Sequence, residues 1–162
     1  MEIIKINFLF IPFISIFAIL FGYESNWASF LGEWGTVPDK LEGLIVTIVF
    51  LVALLLYGIV MGYTEKKGFM KFISLYWGIG GSICLIAHLM APIGKFAIIA
   101  LPTFILIMVP TYGLRYFYTT GTNTLYLTPI ISMISSWSAG AIGYLIGYLL
   151  KKLRVTRSGV NV

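Results

Sequence analysis

The sequence predicts an all-α protein, a polytopic transmembrane bundle of about five hydrophobic helices with four or five crossings. Three observations carry that prediction. Hydrophobic residues make up 59 % of the 162-residue chain, charged residues only 10 %, and the mean hydropathy is +0.97. A soluble domain carries about 25 % charged residues, so an ordinary water-soluble globule is excluded. The apolar residues are gathered into long uncharged stretches. Those stretches lack the polar alternation of a membrane-spanning strand, so the backbone must satisfy itself as helix.

A spanning helix needs about 20 apolar residues, with a usual range of about 17–25. The first stretch, Phe8 to Tyr23, is short unless residues 3–7 extend it and Lys5 snorkels. Its exit carries no A-x-A cleavage pattern, so it reads as an uncleaved span rather than a signal peptide. The second stretch, Gly43 to Tyr63, and the third, Phe72 to Ala91, contain no Asp, Glu, Lys or Arg. The fourth, Phe96 to Tyr112, is bounded by Lys95 and Arg115 and interrupted by Pro102 and Pro110. The fifth, Tyr126 to Leu150, is closed by Lys151 and Lys152. Residues 1–150 therefore read as a single membrane domain and 151–162 as a basic, flexible tail.

The longest connection, Glu24 to Glu42, contains Trp27, Phe30, Leu31 and Trp34 at i, i+3, i+4 and i+7. That spacing predicts a short interfacial helix near residues 26–35. Trp27 and Trp34 would anchor it in the aromatic belt of the headgroup layer. Arg115, beside Tyr112, Tyr116, Phe117 and Tyr118, reads as a further interfacial anchor that receives an anionic headgroup.

The charges pose a topological conflict. Eleven Lys and Arg against six Asp and Glu give a net charge of +5. The bases flank apolar stretches, which points to lipid headgroups as partners and not to nucleic acid. The Thr64–Lys71 turn and the C-terminal tail are both basic, so both favour the cytoplasmic side. Five crossings would separate them and leave Lys and Arg divided five against six. Four crossings unite them and give eight against three, provided one stretch fails to cross. The proline-interrupted fourth stretch is the candidate for that failure.

Helices in lipid associate by close approach at small residues. On the fifth stretch Ser132, Ser135, Ser136, Ala139, Gly140, Gly143 and Gly147 form one stripe about 140° wide. Gly43, Thr47, Gly58 and Gly62 share a face of the second stretch, and Ser74, Gly78, Gly81 and His88 share one on the third. The fifth-stretch face has two readings: packing within the chain, or a seam for a homodimer or a partner membrane protein.

Little catalytic chemistry is legible. His88 is the one ionisable side chain other than Cys84 well inside a stretch, and makes a candidate intramembrane polar site. The bland alternative is a neutral imidazole bonded to a neighbouring helix. All six carboxylates lie in termini or connections, leaving no acid at depth for proton coupling. Cys84 stands alone, so neither a disulfide nor a cysteine zinc site is expected. No N-x-S/T acceptor, phosphate cradle, catalytic motif or cofactor motif is found. The pattern predicts a small accessory or interaction protein of a membrane complex, not an enzyme. A transport component for a small neutral or apolar solute is the alternative. An interfacial lipid-acting enzyme using Glu33 or Asp39 ranks below it. Composition suits a bacterial plasma membrane.

Overall fold

The computed structural model describes residues 10–22, 41–90, 102–118 and 127–158. Every regular element among them is helical. In chain order these are α1 (Phe10–Phe21), α2 (Leu41–Tyr63), α3 (Phe69–Leu89), a short α4 over residues 102–107, a 3-10 segment (Val109–Phe117) and α5 (Leu127–Ser158). Three of them, α2, α3 and α5, are long and apolar enough to cross a membrane. With 12 residues, α1 spans about 18 Å, well short of a hydrocarbon layer of about 30 Å. Five spanning helices are therefore not what the described residues contain. The interfacial helix expected near 26–35, with Trp27 and Trp34, lies outside them, as do the outer ends of the first stretch.

The small-residue faces decide how the long helices lie. Gly58 of α2 abuts the backbone of Gly140 and Tyr144, and Gly62 abuts that of Tyr144 and Tyr148. Gly143 and Gly147 of α5 abut Leu55, Ile59 and Tyr63 in return. Both sequences ascend together along the contact, so α2 and α5 are parallel. Helix α3 meets α5 at Phe69 against Tyr144 and again at Gly81 against Met133, so it runs the other way. The core between them is aromatic. Trp77 is 1 % exposed, with Phe50 edge-on to it at 6.2 Å, and Phe69 stacks on Tyr144 at 5.7 Å. Outside this core the helices present Ile45, Val49, Leu56, Ile79, Ile142 and Leu145, the apolar surface that lipid solvates.

A tight turn joins α2 to α3. The Lys66 amide donates to the Met61 carbonyl and the Glu65 amide to that of Gly62, which is the Schellman pattern. Glu65 takes the left-handed position, φ 52°, where glycine is favoured. Its carboxylate ion-pairs with Lys151 of α5 at 2.9 Å, and Arg154 donates to the Tyr63 hydroxyl at 2.6 Å. The end of α5 is thereby fixed to the turn. This corrects the expectation of a flexible tail from residue 151. No Gly or Pro follows Leu150 before Gly159, the two contacts hold the chain, and the helix continues to Ser158.

The fourth stretch is not one helix. Over its described part, α4 covers 102–107 and gives way to the 3-10 segment at Val109. Pro110 has no amide to donate, and its ring would clash with the Leu106 carbonyl of a continuing α-helix. Ile107 packs on Gly80, midway along α3, and Gly113 then abuts Gly43 at the start of α2. The parallel course of α2 and α5, with α3 antiparallel to both, requires the chain to leave α3 and enter α5 at the same end. Residues 102–117 run from the middle of α3 to that end, at the start of α2.

Candidate functional site

Three regions bear on function: a buried polar layer, a glycine seam and an open row on α3.

The polar layer sits at the end of the bundle away from the basic turn. Thr47, Thr111, Arg115, Thr128, Ser132 and Ser136 are each no more than 1 % exposed. In a 3-10 helix residues i and i+3 eclipse, so Val109, Tyr112 and Arg115 form one row directed inward, continued by Tyr118. Gly113 lets the segment approach α2 closely, because a Cβ there would meet the Gly43 backbone and lie 2.7 Å from the Thr47 hydroxyl. Thr111 donates to Ser132 Oγ at 2.7 Å, tying the segment to α5. Arg115 donates through Nη1 to the Tyr112 hydroxyl at 2.6 Å and lies 5.2 Å from the centre of that ring. Arg115 is thus not the displayed interfacial anchor that its aromatic neighbours suggest. The 3-10 period turns it inside, where an α-helical period would have drifted it outward.

Ser132, Ser136, Gly140, Gly143 and Gly147, the candidate packing face, are all buried. A Cβ on Gly147 would lie 2.7 Å from the Tyr63 amide nitrogen, and one on Gly143 would overlap the Leu55 carbonyl. The face is occupied by α2 of the same chain, so the homodimer or partner seam expected along it has no free surface there. Its complement, Gly43, Thr47, Gly58 and Gly62, is equally buried.

Helix α3 divides its small residues. Gly81 faces Met133 of α5, and Gly80 faces Ile107. Gly78 has nothing within 4 Å of its Cβ position. Together with exposed Ser74 and Ser82 it makes a row at i, i+4 and i+8 that no described residue covers. Trp137 of α5 borders the row and donates its indole N–H to Ser74 Oγ at 3.0 Å. A shallow groove of about 320 Å³ follows it, lined by Ser74, Gly78, Ile134 and Trp137. Sequence reasoning grouped Gly78 with Gly81. Ser82, one turn further on, was the available signal for a second, outward row. The backbone of His88 lies in the last turn of α3, and its side chain is outside the described residues; Cys84 is a buried free thiol.

A second groove of about 490 Å³ runs between α1 and α2, walled by Phe13, Phe17, Ile45, Val49 and Ala53. Its lining is apolar throughout. Among the described residues no group of three or more His, Cys, Asp or Glu could hold a metal ion. Glu33 and Asp39 lie outside the described residues. Set against known proteins, the chain matches no family model, no curated protein and no solved structure.

Proposed function

We propose that this chain is a multi-pass membrane protein that works as an accessory subunit, engaging a membrane helix of a partner through the outward row of α3. The observation that carries this reading is the uncovered Ser74–Gly78–Ser82 row, with open space at Gly78. Small residues at four-residue spacing are the surface on which membrane helices approach closely. The other such row is used up inside the chain. A plasma membrane of bacterial type fits the composition, with one cysteine and no N-x-S/T acceptor.

On this reading α2, α3 and α5 cross the membrane, with the first stretch as a fourth crossing. The basic turn and the end of α5 then face one compartment, and the segment 102–117 is re-entrant from the other. Positive charge favours the cytoplasm for the basic end.

The test is purification of the tagged protein from its native membrane in mild detergent, with native mass measurement. The wild type should run in a complex heavier than the 18.1 kDa chain. Gly78→Leu should release the monomer while its melting temperature holds. A wild type that is monomeric throughout contradicts the reading.

A second reading, a transport component for a small neutral or apolar solute, draws on the re-entrant segment. Non-helical backbone at depth occurs where protein buries it or where it lines a path. Here Val109, Thr111 and Tyr112 are buried, which favours the subunit reading.

A further inference from the structure

The two basic segments of the sequence converge on one end of the bundle. The turn supplies Lys66 and Lys67, the first turn of α3 supplies Lys71, and the end of α5 supplies Lys151, Lys152 and Arg154. The ion pair of Glu65 with Lys151 and the contact of Arg154 with Tyr63 hold these elements together. Glu65 is the one acid at this end among the described residues, and Lys151 engages it. Lys66, Lys67, Lys71 and Lys152 have no carboxylate within ion-pair distance among the described residues. Lys67, Lys71 and Lys152 are exposed.

Their height matters as much as their charge. Lys152 lies two residues past Leu150, which with Leu149 is 49 % and 47 % exposed, and Lys71 lies one turn from Leu75 at 50 %. The cations therefore begin where the unbroken apolar exterior gives way to a mixed one, in which exposed Leu153 and Val155 alternate with Lys152 and Arg154. That is the level of lipid phosphates, since the apolar belt must match the hydrocarbon and the first polar layer beyond it is the headgroups. A soluble acidic partner would not need cations pressed against an apolar belt.

We infer that this end is a binding surface for anionic phospholipid headgroups, with Lys66, Lys67, Lys71 and Lys152 as its ligands. The inference needs only that the three long helices lie in a bilayer. It does not depend on the partner surface proposed for α3. Each base near an anionic membrane contributes a preference of about fivefold.

The experiment uses the full chain in detergent, titrated with phosphatidylglycerol or phosphatidylcholine of matched acyl chains. Native mass spectrometry counts the lipids retained. The wild type should retain phosphatidylglycerol at least about fivefold better, the contribution of a single base, and the preference should fall as salt rises. The combined Lys66→Gln, Lys67→Gln, Lys71→Gln and Lys152→Gln variant should lose the preference and keep its affinity for phosphatidylcholine. Lys67→Gln with Lys71→Gln alone should fall between. Lys67, Lys71 and Lys152 are exposed and Lys66 is half-buried, and none of the four lies in a helix seam, so the lipid-free melting temperature should not change. Equal retention of both lipids by the wild type overturns the inference, and so does a preference that survives the fourfold change. Inorganic phosphate in millimolar amounts should leave the bound lipid in place. Displacement by phosphate would contradict a headgroup site.

Discussion

The α5 stripe and the α3 row are built from the same residue types at the same spacing, yet their surroundings are opposite. At Gly143 and Gly147 the neighbouring backbone of α2 stands where a side chain would have to go. At Gly78 there is open space. A small residue in a membrane helix therefore marks where close approach is permitted, and the tertiary arrangement decides whether the chain itself uses it. Here the parallel α2–α5 pair uses one row to build the core, and the other, open at Gly78, is the row proposed for a partner helix.

Substitutions sharpen that contrast, beginning with the strongest. Gly143→Leu should force α2 and α5 apart, a loss of about 3 kcal/mol or more, seen as aggregation or a collapsed melting temperature in detergent. Gly78→Leu should leave the melt unchanged and act only on complex size. If both variants melt alike, the distinction between inner seam and outer row fails. Arg115→Met removes a charge-assisted bond to Tyr112 and should cost about 2 kcal/mol, read by thermal or denaturant unfolding. Thr111→Val with Ser132→Ala, in a double-mutant cycle, should give a coupling of about 0.6 kcal/mol, typical of hydrogen bonds between membrane helices. Glu65→Gly should be nearly neutral, within about 0.5 kcal/mol. It relieves the left-handed conformation at φ 52° while losing a partly exposed ion pair to Lys151. Glu65→Gln loses the pair without that relief and should be the less stable of the two.

Much of this architecture was legible in the sequence, for identifiable reasons. The uncharged runs around Leu54 and Trp77 had no stable state but helix in an apolar medium, and α2 and α3 begin and end within three residues of the predicted stretches. The faces of α2 and α5 were legible because glycine and serine recur at helical spacing. What spacing does not encode is which face meets which, and so the occupant of the Gly143–Gly147 seam emerged only from the parallel packing. The fourth stretch left four and five crossings both open because hydropathy ignores backbone chemistry, which its two prolines bring in. Leu106, Ile107 and Met108 are as apolar as any spanning residue, but Pro110 ends the α-helical hydrogen bonding. Arg115 misled for a related reason: its burial follows from a 3-10 period that no apolar pattern announces. The helix beyond Leu150 makes its contacts with Glu65 and Tyr63, distant in sequence, and was equally hidden.

Residues 102–117 lead back to the start of α2, which puts the basic turn and the end of α5 together at the opposite end of the bundle. Single cysteines at Lys67 and Lys152, each in a Cys84→Ala background, test it directly. Sealed membrane vesicles of known orientation would be treated with a membrane-impermeant thiol reagent. The account predicts that both positions are labelled from the same side. Labelling of Lys67→Cys and Lys152→Cys from opposite sides would mean that the fourth stretch crosses, and would contradict it.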